Sequence, residues 1–215
     1  MRMFNRVAIV CDKNMSGAAI ALRSVLECFA LRVDFHNFVQ KRQVVSFFAE
    51  LHPEYSHTII VCHGSGGDDE PYLMFDVVDQ VDGHYDEAEG WEGVTVKLTP
   101  SGVLEHVRGT HGTVVSLACG SGCAALARAF LAAGCDAYIG PTSPYLDSDA
   151  AVLFALNYFY FLLAEDRDYA PERYTDREAV EKASMVDAGW KYGTESFVRW
   201  APDEAVGDRR LGRTR

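Results

Sequence analysis

Residues 57–67 read HTIIVCHGSGG, and the two halves of that stretch say different things. His57 to Cys62 is a short run of apolar and β-branched residues. It is too brief for a helix and reads as a strand buried on both faces. His63 then stands at the strand's end with glycine beside it, an imidazole next to backbone that no side chain shields. The pattern recurs at residues 113–122, TVVSLACGSG. There a second buried strand, Thr113 to Ala118, ends in Cys119 and another glycine loop. If the two strands are neighbours in one sheet, the imidazole and the thiol lie at the same sheet edge.

Working outward, strand and helix signals alternate over the first 165 residues. Arg6 to Cys11 (RVAIVC) reads as a strand, and Asn14, Ser16 and Gly17 break it and open a helix. Leu22, Val25, Leu26 and Phe29 then recur at helical spacing and make one apolar stripe. Arg32 to Phe38 alternates as a strand, with Val33, Phe35 and Asn37 on one face. Val44, Phe47, Phe48 and Leu51 return to helical spacing, which Pro53 ends. Thr99-Pro100 is a helix start, an N-cap threonine with proline at N1, for a helix running to Val107. Cys123 to Ala133 reads as a helix stopped by Gly134. Asp136 to Gly140 is a fifth strand, and Pro141 and Pro144 turn the chain toward a long apolar helix capped near Asp147 or Ser148. Further on, Arg177 to Asp187 reads as helical and Phe197 to Trp200 as a short strand. The expectation is an α/β fold with a mostly parallel sheet flanked by helices on both faces. In such sheets chemistry gathers in the loops beyond the carboxyl ends of the strands.

Composition narrows the function. The chain has 215 residues, 48% apolar, with 25 aromatics, ample for a core and unlike a disordered chain. Its 31 acids against 20 Lys and Arg give a net charge of −11, which disfavours a general nucleic-acid binder. The first 14 residues lack the apolar run of about 7–15 residues that a secretory signal needs. The most apolar later stretch, residues 150–164, is shorter than the ~20 residues of a membrane span. A cytoplasmic protein without membrane contact is therefore expected. The six cysteines (11, 28, 62, 119, 123 and 135) have no framework spacing and read as thiols, one of them reactive.

Chain order discriminates among thiol chemistries. All seven histidines precede Cys119. Papain-like peptidases and class I amidotransferases place the histidine after the cysteine, and α/β-hydrolases place it last. A Cys119 nucleophile must therefore draw on an upstream histidine, and His63 is the one at a strand end beside glycine. The backbone N–H groups of Gly64 and Cys119 are candidate oxyanion donors, a helix N-terminus near Cys119 favours thiolate, and Gly120 and Gly122 permit a tight turn. Blander readings stand beside this one. A lone cysteine after a strand is usually an inert core thiol, and a loop histidine is often bonded to backbone. HGSGG lacks the spacing and lysine of a phosphate loop. His63 with Cys119 and Cys123 lacks a second close ligand pair for zinc. Residues 66–92 hold ten acids and no Lys or Arg. That stretch reads first as a solvated insertion and second as a funnel for a basic substrate or a divalent-cation site. Asp76, Asp79 and Asp82 do not match an EF-hand loop, so no cofactor is expected and calcium activation is unsupported.

These residues resemble the caspase-like cysteine peptidases, most of all CHAT domains and separase. HGSGG at His63 is similar to the separase histidine loop, and LACGSG at Cys119 to the CHAT and separase cysteine loop. LTPSGVLEHV, residues 98–107, resembles the helix before the cysteine strand, and residues 129–163 resemble the helix, strand, acid and long helix that follow it. The likeness spans residues 5–165. It implies a caspase-like three-layer sandwich in which Cys119 is the nucleophile and His63 its base. Gly64 and Cys119 would then form the oxyanion hole, and a protein or peptide would be cut after one chosen P1 residue. Separase, metacaspases and clostripain favour basic P1 residues, which an acidic pocket would hold. The candidate pocket acids are Asp12, Asp147 and Asp149. The likeness is incomplete. Thr142-Ser143 replaces the Leu-Trp of separase and many CHAT domains, and the separase pocket acid falls at Ala151.

The combined expectation is one domain over residues 1–200, with core 5–165 and a flexible tail at 201–215. Its expected activity is that of a cysteine endopeptidase, with a regulatory protein as a further candidate partner. The alternative is a non-catalytic caspase-fold interaction module, with Cys119 a bystander.

Overall fold

Strand periodicity explains the layering. Val7, Ile9 and Cys11 belong to one buried cluster and Ala8 and Val10 to another, and all five are fully buried. A strand buried on both faces belongs inside a sheet covered on both sides. The computed structural model of the protein contains that sheet, and it describes residues 6–50, 55–67, 70–78, 93–108, 112–163, 174–186 and 193–202.

In chain order the strands are β1 (Arg6–Asp12), β2 (Arg32–Phe38), β3 (His57–Val61), β4 (His63–Ser65), β5 (Tyr72–Val78), β6 (Gly93–Leu98), β7 (Thr113–Ser116), β8 (Ala137–Pro141) and β9 (Phe197–Trp200). Six form the main sheet in the order β2-β1-β3-β7-β8-β9. The first five run parallel and β9 is antiparallel to β8. The helices are α1 (Ser16–Cys28), α2 (Lys41–Ala49), α3 (Pro100–His106), α4 (Ala124–Ala132), α5 (Ser148–Leu163) and α6 (Asp176–Met185). Side chains of α1, α5 and α6 fill the core on one face of the sheet, and those of α2, α3 and α4 fill the other. The architecture is the expected three-layer α/β arrangement.

Local chemistry sets the helix ends. The Thr99 hydroxyl accepts from the Gly102 N–H at 3.2 Å, and Pro100 opens α3. Gly134, at φ +111°, ends the helix α4 as a left-handed stop. The strands at Arg32–Phe38 and Phe197–Trp200 coincide with the sequence reading, and most other elements differ from it only at their ends.

One feature corrects it. Part of the acidic stretch read as a solvated insertion is a second, antiparallel sheet in the order β4-β5-β6. Leu73, Phe75 and Val77 of β5 are fully buried against the α2–α4 core, so the sheet is part of the fold. Residues 68–69 and 79–92, where eight of the ten acids lie, are outside the described residues, as is the 203–215 part of the expected tail.

At the far end of β3 from His63, a polar chain crosses the α1–α5–α6 layer. The Tyr158 hydroxyl donates to Asp176, so its oxygen accepts from His57 Nε2–H at 3.0 Å, and Arg199 Nε donates to Asp176 at 2.5 Å. Burial pulls the His57 pKa down to about 4, although the Asp176 carboxylate works against it. In the unfolded chain the imidazole protonates near pH 6.5. The unfolded state therefore binds more protons below that pH, and folding stability falls as pH drops toward 4. The expected loss from His57 alone is about 3 kcal/mol between pH 7 and pH 4. Denaturant melts of the native protein and of His57→Gln, which keeps an N–H donor but cannot titrate, check this. Native protein should lose about 3 kcal/mol more than the variant, and equal losses would refute the assignment.

Candidate active site

The β3–β7 pairing brings the two glycine loops to one edge. Its parallel register matches Ile60 with Ser116. His63 lies three residues beyond Ile60, and Cys119 three residues beyond Ser116. Equal offsets from a paired rung place both at the carboxyl-end edge of the sheet. The ladder continues past the strands, with the Leu117 N–H donating to the Ile60 carbonyl at 2.9 Å.

The loops touch through their glycines. A Cβ on Gly64 would stand 2.9 Å from the Cys119 carbonyl oxygen and 2.8 Å from the Ala118 Cβ. One on Gly66 would stand 2.3 Å from the Gly120 carbonyl oxygen. Gly120 reciprocates: its Cβ would meet the Gly66 nitrogen at 2.5 Å, and its φ of +65° is left-handed. HGSGG and CGSG therefore interlock backbone to backbone, which only residues without side chains allow.

The reactive groups are accessible. His63 is exposed and Cys119 half-buried. Among the described residues the His63 ring has no hydrogen-bond partner, and neither does the Cys119 backbone N–H. The Cys119 thiol donates to the Leu146 carbonyl at 3.7 Å, while the next residue's N–H donates to the Ser143 carbonyl at 2.7 Å. The β8–α5 loop thus lies directly against the cysteine loop. Asp147 follows Leu146, and Asp149 lies in the first turn of α5; both are exposed.

The other thiols differ. Cys62, beside His63, is buried, and burial with the nearby Asp12 charge holds its pKa well above the usual thiol value. Burial, then the Asp12 charge, pushes Cys11 up to about 12. Both are kept as inert thiols. Cys28 is exposed on α1, and all six cysteines are free. Among the described residues no three His, Cys, Asp or Glu side chains gather to hold a metal ion, and no helix is long and apolar enough to cross a membrane.

Asp12 has its carboxylate occupied by backbone donors. Its side chain is fully buried, and its oxygens accept from the N–H groups of Asn14 at 2.9 Å, Met15 at 3.0 Å and Asp76 at 3.2 Å. It ties the start of α1 to β5, and β5 pairs with β4, where His63 faces Met74. Asp12 thereby links the end of β1, through β5, to the strand that carries His63. Asp12→Ala leaves three N–H donors without their acceptor and should cost about 2 kcal/mol. For a peptidase at this sheet edge, the substitution should lower hydrolysis without changing the ranking of P1 residues. A changed ranking, read with a substrate panel, would return Asp12 to the pocket.

The sequence reading missed the Ser143 and Leu146 carbonyls, which carry no side-chain signal. It also missed β5, whose alternation of Leu73, Phe75 and Val77 with outward Tyr72, Met74 and Asp76 is legible once the acids are set aside.

No protein-family model matches this chain, and no curated protein matches it by sequence. Among solved structures it is similar to the Drosophila initiator caspase Dronc. The two are 9% identical over an alignment covering 94% of this chain and 81% of that one, with a TM-score of 0.49.

Proposed function

We propose that this chain is a caspase-like cysteine endopeptidase of the CHAT and separase type, with Cys119 as nucleophile and His63 as its base. The observation that carries the reading is the interlock of the two glycine loops, Gly64 against Cys119 and Gly66 against Gly120, at one sheet edge. A buried structural cysteine needs no such partner loop, and a loop histidine needs no register match to a thiol.

The chemistry runs in two halves. The Cys119 thiol gives its proton to the His63 imidazole, and the thiolate sulfur bonds to the scissile carbonyl carbon. The oxyanion that forms takes the Cys119 and Gly64 N–H groups as donors, each worth about 3–4 kcal/mol in comparable sites. Collapse breaks the C–N bond, and the imidazolium proton goes to the leaving amine. A water, deprotonated by His63, then attacks the thioester carbonyl, and Cys119 leaves as the thiol after regaining the proton.

With Asp12 committed to backbone donors, Asp147 and Asp149 are the acids left to hold a basic P1 side chain. Fluorogenic tetrapeptides differing only at P1 (Arg, Lys, Asp, Asn, Ala) test this. Arg and Lys substrates should be cut best. Asp147→Ala or Asp149→Ala should lower their kcat/KM by about 10–100-fold while sparing the Ala substrate, the scale of one charge-assisted bond. Preference for Asp at P1, or no change in either variant, would remove these acids from the pocket.

A further inference from the structure

A groove of about 260 Å³ lies between α2, α3 and β6, the strand two places across the second sheet from β4. Four consecutive residues of β6, Thr95 to Leu98, line it. Neighbouring strand residues point to opposite faces, so a groove touching all four runs along the strand's edge. Among the described residues that edge is unpaired, because β6 is terminal in its sheet and bonds only β5.

The walls have a definite chemistry. Val44 and Phe48 of α2 and Val96 and Leu98 of β6 supply an apolar floor. Lys41 and Lys97 stand on the rim, both exposed. Neither has a carboxylate partner among the described residues; the Lys97 ammonium instead rests over the Tyr72 ring at 4.4 Å. His106 of α3 also lines the groove. Acids lie to either side: Glu105 is 3.9 Å from His106, and Asp76 accepts from the Thr95 hydroxyl at 3.3 Å, which leaves Lys41 and Lys97 as the charged groups of the groove without a carboxylate among the described residues.

We infer that this groove docks an extended acidic segment of a partner protein as an added strand on β6. Backbone hydrogen bonds to the open edge would hold it, with one apolar side chain in the groove and flanking Asp or Glu on Lys41 and Lys97. The site is separate from the peptidase reading and stands or falls independently of it.

The test is selection of phage-displayed random dodecapeptides on the Cys119→Ala protein, followed by binding and amide-exchange measurements on the enriched peptides. The expected result has three parts: alternating apolar residues flanked by acids, at least tenfold weaker binding to a Lys41→Glu/Lys97→Glu double variant, and slowed exchange at residues 95–98 on binding. Both lysines are exposed, so the double variant should fold, and an unchanged melting temperature verifies it. Amide exchange on the Cys119→Ala protein does not depend on that variant. No enrichment, equal binding to the double variant, or protection confined to residues 63–67 and 117–122 would overturn the inference. The last outcome would assign the peptides to the catalytic cleft instead.

Discussion

Cys119→Ala should remove peptide hydrolysis, by more than about 10⁴-fold, and His63→Ala should lower kcat/KM by about 10²–10⁴-fold, with the fold intact in both. In the proposed mechanism the thiol forms the acyl intermediate, a bond that alanine cannot make. In that mechanism the imidazole is the general base, for which water would substitute poorly. Neither side chain supports the structure. Cys119 is half-buried in a loop and loses only a weak S–H contact to the Leu146 carbonyl, and His63 is exposed. Both variants should therefore melt within a few degrees of the native protein. Cys62→Ala gives the opposite signature. It removes a buried thiol from the α2–α4 core, so stability should fall while activity remains. Activity and melting temperature measured on all three variants separate catalytic from structural cysteines. Activity surviving in Cys119→Ala would refute the assigned nucleophile.

Gly66→Ala and Gly120→Ala should each destabilise the protein by about 3 kcal/mol and abolish most activity. The two positions fail for related but distinct reasons. At Gly66 the added methyl meets backbone, the Gly120 carbonyl oxygen at 2.3 Å, which no rotamer change can relieve. At Gly120 a methyl meets the Gly66 nitrogen at 2.5 Å, and the φ of +65° adds backbone strain. Relief requires the two loops to separate, and that moves His63 away from Cys119. Gly17→Ala is the control: its added Cβ meets nothing within 4 Å, and it lies inside α1, where alanine is the better helix former. Chemical denaturation and substrate turnover check the series. If Gly66→Ala matched Gly17→Ala in both, the loops would not be interlocked in solution.

Much of this fold was legible because its core strands are buried on both faces. HTIIV and TVVS are runs that only a covered parallel sheet explains, and the helices between them carry clear stripes and caps. The candidate site was legible for a related reason: glycine beside a reactive residue at a strand end is a local pattern. The contacts of those glycines are not. Gly66 against Gly120 is a tertiary fact, visible only once β3 and β7 are paired. The second sheet was misread because charge masked periodicity. Asp76 sits on the outward face of β5, where an acid costs little, yet it made the segment look like solvated loop. The partners of Asp12 were hidden for a different reason. An acid at the end of β1 looks like a pocket residue, and nothing in the sequence shows that the N–H groups of Asn14, Met15 and Asp76 converge on it.

The most direct measurement is covalent labelling of the native protein with peptidyl acyloxymethyl ketones bearing P1 Arg, Lys, Asp or Asn, the adduct being located by mass spectrometry. The five other thiols are internal controls, with Cys28 exposed and Cys11 and Cys62 held protonated by burial. The predicted result is a single adduct on Cys119, absent from Cys119→Ala and formed at least about 100-fold more slowly in His63→Ala. Labelling of Cys119 no faster than of Cys28, by every probe, would contradict a catalytic dyad at this sheet edge.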